Sequence, residues 1–377
     1  MQKTYKFRLY PNKDQEKKLL HTLDRCRFVY NKLLEGLNKQ EKIDRKKLQH
    51  SIVKLKEKYK ELKEVHSKVL QHEHYRLFSN LRALSRLKSN GKKVGKLRFK
   101  GKGWFKTFTY NQSGLKIIET EKRLDKLHLS KIGDIPIRIH REVKGKIKQI
   151  IVKRYDSKKW YACVSVEDSI DKEKKSIKKK VGIDVGIKHF LTDSDGLQIE
   201  NPKYFDKSYK RLRKEQIKLS RKKKKSKNKN KQRIKVARVH EEIVNQREDF
   251  LHKISKYYID NYDFIAIEDL NIESMVRNHY FSRYINDASW SKFRQFLSYK
   301  AERAGKVVVE VNPRGTSKEY NYGKLDRDYN ASLNILNRGL QQIGQGLSEF
   351  TPVEIEPLRE LTKVSASSVV EAGSPLR

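Results

Sequence analysis

The chain has 377 residues, a formal net charge of +42 and 36% hydrophobic residues. Its length allows two or three domains, and its apolar content supports folded cores rather than a bare basic tail. The one-signed charge calls for a polyanionic partner, of which nucleic-acid backbone is the commonest. No run of about 18 apolar residues exists to span a membrane, and the start Met1-Gln2-Lys3-Thr4-Tyr5-Lys6-Phe7 does not read as a signal peptide. Cys26 and Cys163 are the only cysteines. They exclude a disulfide framework and a cysteine zinc site within one chain. A cytoplasmic, nucleoid-associated protein with no membrane partner is expected.

Residues 3–10 alternate in character like a half-buried strand that Pro11 ends. Asn12, with Gln15 three residues on, signals a helix start. The helix after it carries Leu19, Leu20, Leu23, Cys26, Val29, Tyr30, Leu33, Leu34 and Leu37 at three- and four-residue steps. Cys26 is therefore read as core rather than as a reactive thiol. Amphipathic helix continues to about Leu87, with Lys and Arg dense on the polar positions. From Gly91 onward basic, Gly and aromatic residues alternate through Arg98-Phe99-Lys100-Gly101-Lys102-Gly103-Trp104. Short strands are predicted at Phe108–Tyr110, Leu115–Ile118, Ile135–His140, Ile147–Arg154 and Trp160–Val166. Interleaved cations and aromatics suit phosphate contact with base stacking, although for any single aromatic the interior of a small β-barrel is the better reading. Residues 171–180 read as a charged linker.

The remaining chain centres on Val181-Gly182-Ile183-Asp184-Val185-Gly186, an apolar strand that carries one acid, with a return strand after it and a turn at Asp193–Gly196. Helix is expected from Tyr204 to about Tyr262, broken by the polar block Arg221–Lys231 as a hairpin tip that stays disordered unless phosphate neutralises it. Phe264–Leu270 is a second buried strand ending in acids. A helix at Trp290–Ala304, a strand at Val307–Val311, the loop Asn312–Ser317 and a helix opening near Asp326 follow. The stretch from 341 to 377 reads as disordered.

Three acids thus end apolar elements: Asp184 and Glu268 on strands, and Asp328 at a helix start. Shared carboxylates on rigid elements are what two Mg²⁺ ions need for phosphodiester hydrolysis. Their order, strand, strand, helix, is that of RNase H-like nucleases. Asp326 reads as an N-cap more than a fourth ligand, His189 as packing, and Asp193 and Asp195 as turn residues. Candidate nucleic-acid contacts are Trp104, Arg314, Lys222, Lys223 and Lys224.

Gly182–Phe190, Ile267–Asn271, Asn312–Ser317 and Asp326–Ala331 resemble the RuvC motifs of the TnpB (OrfB) family of insertion-sequence proteins. Tyr5–Pro11 and Val364–Gly373 are similar to that family too, so the resemblance spans nearly the whole chain. It implies an RNA-guided DNA endonuclease with a guide RNA and a double-stranded DNA target as partners. It also implies a multidomain α/β and β-barrel fold: a wedge-like β-barrel from 1–10 and 91–170, a helical recognition domain at 11–90, and an RNase H-like (RuvC) domain at 181–340 that carries the basic hairpin 204–262. In that picture Asp184, Glu268 and Asp328 are catalytic and hold Mg²⁺. The family places a four-cysteine zinc ribbon after the Thr-Ser pair. Here Tyr320 stands where its first cysteine would be, so most of the ribbon reads as deleted and zinc is not expected. The alternatives are a guided binder that no longer cuts, a guide-free RNA-binding protein, and a transposase in name. Oligomeric state, a homodimer included, is left open.

Overall fold

The computed structural model describes residues 2–111, 113–121, 123–167, 176–316 and 326–344, and the backbone of 362–364. It divides into two compact units, residues 1–169 and 170–377.

In the first unit the strand β1 (Gln2–Leu9) leads into the helix α1 (Lys13–Asn38). The expected start signal is a full capping box: Asn12 Oδ1 accepts from Gln15 N at 2.8 Å, and Gln15 Oε1 accepts from Asn12 N at 3.1 Å. Two further helices follow, α2 (Arg45–Lys58) and α3 (Ser67–Ser89), with a 3-10 turn at Lys60–Glu64 between them. Six strands then complete a sheet: β2 (Thr107–Asn111), β3 (Leu115–Ile118), β4 (Asp125–Leu129), β5 (Gly133–Arg138), β6 (Lys146–Arg154) and β7 (Trp160–Glu167). Their order is β2-β6-β7-β1-β5-β4-β3, antiparallel throughout, and the sheet is nearly closed and barrel-like. The strand β4 was not expected. It is a charged, five-residue segment whose inward face is made by Leu127 and Leu129 alone.

The sequence suggested separate helical and barrel domains; the structure instead gives them one core. Leu19, Leu23, Cys26, Val29, Tyr30, Leu33 and Leu34 of α1 pack into the same cluster as Phe7, Phe108, Ile135 and Val164 of the sheet. A helix stripe shows that a face is buried, not what buries it. Leu20, counted on that stripe, is an exposed residue.

This core holds one acid. Glu73 on α3 is fully buried beside Cys26 and lies 3.4 Å from Arg76. Burial pushes its carboxyl up to about 7, against the pull of Arg76.

In the second unit the strands β8 (Lys180–Val185), β9 (His189–Asp193) and β10 (Leu197–Glu200) form an antiparallel meander. The charged linker expected at 171–180 lies partly outside the described residues, and its last residue, Lys180, opens β8. The helices α4 (Tyr204–Ser220) and α5 (Lys227–Asn261) make the expected hairpin. Its tip, expected to be disordered, is described as a connection in which Lys225 takes φ +63° and Ser226 caps α5 through Lys229 N at 3.0 Å. Next come β11 (Phe264–Glu268), the short helices α6 (Ile272–Val276) and α7 (His279–Ala288), α8 (Trp290–Ala304) and β12 (Val307–Val311). The helix α9 (Arg327–Gln342) and a three-residue strand, β13 (Thr362–Val364), complete the unit.

The sheet order is β12-β11-β8-β9-β10-β13, with β8, β11 and β12 parallel. One face is covered by α5 and α8, through Phe250, Ile254, Tyr258, Phe293 and Leu297. The helix α9 covers the other, through Ile335, Leu336 and Leu340. This is the RNase H-like arrangement. The expectation of disorder from 341 onward fails at two points: α9 runs to Gln342, and residues 362–364 pair in parallel with β10. Residues 345–361 and 365–377 lie outside the described residues.

The folded first unit holds the Glu73 proton more tightly than the unfolded chain does. The stability this supplies is therefore complete below pH 4.5 and falls as pH rises towards 7. Glu73→Gln is expected to remove that slope, on the order of 3 kcal/mol across the window. Denaturant titrations of the variant and the parent at pH 4.5 and pH 7 measure it.

Candidate active site

The site is built by a helix lying directly on two strands. On β8, Val181, Ile183 and Val185 point into the core under α5 and α8, so Gly182 and Asp184 occupy the opposite face. A Cβ placed on Gly182 would lie 2.1 Å from the Ser332 carbonyl oxygen and 2.7 Å from Leu336 N. Only a glycine lets the α9 backbone rest there. The neighbouring strand repeats the arrangement. Ala266 of β11 pairs with Gly182, and a Cβ on Gly339 of α9 would meet the Ala266 methyl at 2.6 Å. The register then continues from Ile267↔Ile183, so Asp184 and Glu268 occupy the next row along the same face.

Asp328 joins them from the helix. It stands one turn before Ser332 on α9, on the face that meets β8. Asp326 is the N-cap, as expected, and accepts from Asp328 N at 3.0 Å and Tyr329 N at 3.3 Å. An acid in this first turn also sits favourably in the field of the helix N-terminus.

The charges of Glu268 and Asp328 bear on Asp184. Asp184 is pushed up to about 8, first by burial, then by the charges of Glu268 and Asp328, with Arg327 opposing. Glu268 is also raised by burial, while a hydrogen bond from Thr316 and the charge of Arg338 pull it down. The protein's own groups thus disfavour the charged form of Asp184. Among the described residues, no three His, Cys, Asp or Glu side chains are gathered tightly enough to hold one metal ion between them. Asp184 is near enough to Glu268 and Asp328 to feel their charge. As a donor set they are all hard carboxylate oxygen, and a divalent charge among them would relieve that repulsion.

Several supporting residues were not singled out from the sequence. The Thr316 hydroxyl donates to Glu268 Oε1, and the Thr316 carbonyl accepts from Asn334 Nδ2 at 2.8 Å. Arg338 donates to the carbonyls of Asn312 and Arg314, the latter at 2.9 Å. The loop Asn312–Thr316 is therefore clamped to α9, which in turn sets Glu268. Thr316 stood in a quoted motif, but Asn334 and Arg338 carry no signal that sets them apart from surface polar residues of a helix.

The other candidates are not among the three acids. Arg314 is exposed on the clamped loop, and Lys222, Lys223 and Lys224 are exposed between α4 and α5. Trp104 is an exposed residue of the first unit. Asp193 is a buried turn residue, pushed up to about 6 by burial, that accepts from Asp195 N, Leu197 N and the Tyr258 hydroxyl. His189 is half-buried at the start of β9.

Residues 161–279 match the OrfB family profile described as "Probable transposase". Residues 1–46 match its "Helix-turn-helix domain", a stretch that here comprises β1, α1 and the first residues of α2. Residues 290–324 match a "Cas12f1-like, TNB domain". That match covers the stretch after Thr316 where most of the ribbon reads as deleted, and residues 290–324 contain no cysteine. Residues 317–325, Tyr320 among them, lie outside the described residues.

A Streptomyces pristinaespiralis protein named "Putative RNA-guided DNA endonuclease" is 31% identical over 98% of this chain and 96% of its own length. An Escherichia coli K12 protein, "Putative RNA-guided DNA endonuclease InsQ", is 30% identical over 84% of this chain and 82% of its own. Among solved structures, a chain of the "Cas12f1-sgRNA-target DNA complex" shares the fold, with a TM-score of 0.52, 15% identity, and coverage of 89% of this chain and 99% of that one.

Gly182→Ala is expected to force α9 off the sheet, costing about 1–3 kcal/mol and separating Asp328 from Asp184. Denaturant titration measures the loss, and fluorinated or isotopic labels on α9 would follow its displacement. With its motifs in sequence order and relatives matching along nearly its full length, the chain belongs to the TnpB (OrfB) family of insertion-sequence proteins.

Proposed function

We propose that this chain is an RNA-guided DNA endonuclease whose chemistry needs Mg²⁺ held by Asp184, Glu268 and Asp328. The observation that carries the reading is the charge of Glu268 and Asp328 bearing on the half-buried Asp184, with the three acids carried by two parallel strands and one helix. Isolated structural acids would be spread apart or paired with cations. Mg²⁺, when bound, supplies activation of the attacking water and charge for the departing 3′ oxygen.

The chain's own groups have distinct tasks. Asp184 and Glu268 are fixed by strand register, and the Thr316 hydroxyl holds one oxygen of Glu268. Asp328 is set by its cap and by the helix contact at Gly182. Guide RNA and duplex DNA are the proposed partners. The names of the full-length relatives and the net charge of +42 support them. Arg314 and Lys222–Lys224 are proposed phosphate contacts, which position a nucleic acid without reading its sequence.

One observation favours a second reading, guided binding without cleavage: residues 290–324 hold no cysteine where the family resemblance implies a ribbon beside the cleft.

Incubation of the protein with its co-purifying RNA, Mg²⁺ and a matching duplex tests both readings. Cleavage is expected, and Asp184→Ala should reduce it at least about 1000-fold while leaving binding intact. Asp184→Asn should abolish cleavage too, yet hold or raise the melting temperature, because it removes a repelled acid. A parent protein that binds guide and target without cutting supports the second reading. Cutting that survives Asp184→Ala overturns the first.

A further inference from the structure

The loop between α3 and β2 holds an aromatic ring out of the fold by design. Seven basic residues and no acid lie between Gly91 and Lys106: Lys92, Lys93, Lys96, Arg98, Lys100, Lys102 and Lys106. The segment before β2 is outside regular secondary structure, but it is not loosely attached. Asn31 of α1 grips the backbone of Lys100 on both sides, accepting from its N–H at 2.8 Å and donating to its carbonyl at 3.0 Å. Arg27 Nη1 donates to the same carbonyl at 3.2 Å. A few residues on, Phe105 is buried edge-on against Tyr30, with the Arg76 guanidinium 4.6 Å from its ring centroid.

Between these two anchors a tight turn returns the chain. Trp104 N donates to the Gly101 carbonyl at 3.2 Å, and Gly103 takes φ +76°, which an L side chain would resist. The turn leaves Trp104 67% exposed, with Lys100 Nζ 5.4 Å from its ring centroid.

A large apolar ring so exposed, on a backbone so firmly held, loses burial that a small rearrangement could recover. Its cation neighbour Lys100 and the basic run of its own loop, in which Lys106 alone is paired with an acid among the described residues, Asp156, select an occupant that is flat, aromatic and anionic. We propose that Trp104 is a stacking platform for an unpaired nucleobase, with Lys100 and the adjacent lysines meeting the flanking phosphates. The shared chemistry is a single-stranded segment, either RNA or the separated strand of a DNA duplex. This proposal rests on the reading of the chain as a nucleic-acid-binding protein, and it adds a specific contact in the first unit.

The protein supplies its own reporter. Of its three tryptophans, Trp160 and Trp290 are 2% and 5% exposed, so Trp104 alone meets solvent. Full-length protein is titrated, in EDTA, with single-stranded RNA and DNA oligonucleotides and with the same strands carrying abasic sites. Base-bearing strands are expected to quench the Trp104 emission, and abasic strands to bind without quenching it. Trp104→Ala should weaken binding of base-bearing strands about 5- to 150-fold, leaving abasic strands unchanged, and Trp104→Phe should restore most of the loss. The polymer showing the larger loss names the source of the base.

Equal quenching by abasic strands, or an Ala variant that binds like the parent, overturns the platform while nucleic-acid binding stands. A parent protein that binds no strand at all overturns both.

Discussion

Backbone rests on backbone where α9 crosses β8 and β11. Gly182 on the strand and Gly339 on the helix are the two points at which a side chain would collide. Between them, Ile335, Leu336 and Leu340 close a small core with Phe264, Ala266 and Val311. Such a contact permits little sliding, because displacement along the axis drives carbonyls into Cβ atoms. It therefore fixes the height of Asp328 against Asp184 and Glu268, and through Asn334 and Arg338 it fixes the loop that orients Glu268. The placement of the three acids is thus inherited from glycines.

That rigidity is what makes the electrostatics matter. Carboxylates on mobile loops would move apart until solvent screened them. Held on strands and a capped helix, they can lower their energy only by taking up a proton or by gaining positive charge nearby, and the elevated Asp184 expresses the first of these. Asp193 shows how the same unit treats an acid meant only for structure. It too is raised by burial, but two backbone N–H groups and the Tyr258 hydroxyl satisfy it, and neither of the other strand acids joins it. Asp193 differs from the half-buried Asp184 in being fully buried and in the hydrogen bonds that satisfy it.

Much of this was legible in the residues because apolar runs ending in acids are rare and conspicuous. Val181–Val185 and Phe264–Glu268 declared strands, Asn12 and Gln15 declared a helix start, and Asp326 declared a cap. What escaped was what depends on a partner. The strand β4 has only two inward leucines, and β10 is four residues long; neither offers enough alternation to stand out from a turn. The short helices α6 and α7 begin at Asn271 and Asn278, whose side chains cap Ser274 N and Tyr280 N, but they bury too little to leave a periodic stripe. The merging of helices and barrel into one core was likewise invisible. The apolar stripe of α1 would look the same whether it met other helices or the sheet.

The strand β13 completes a row of hydrogen bonds along β10, from Leu197↔Thr362 to Ile199↔Val364. Without it Leu197–Glu200 would be an outer strand, with amides and carbonyls turned outward as a template for any extended chain. A segment of only three residues thus acts as a cover strip for that edge of the sheet.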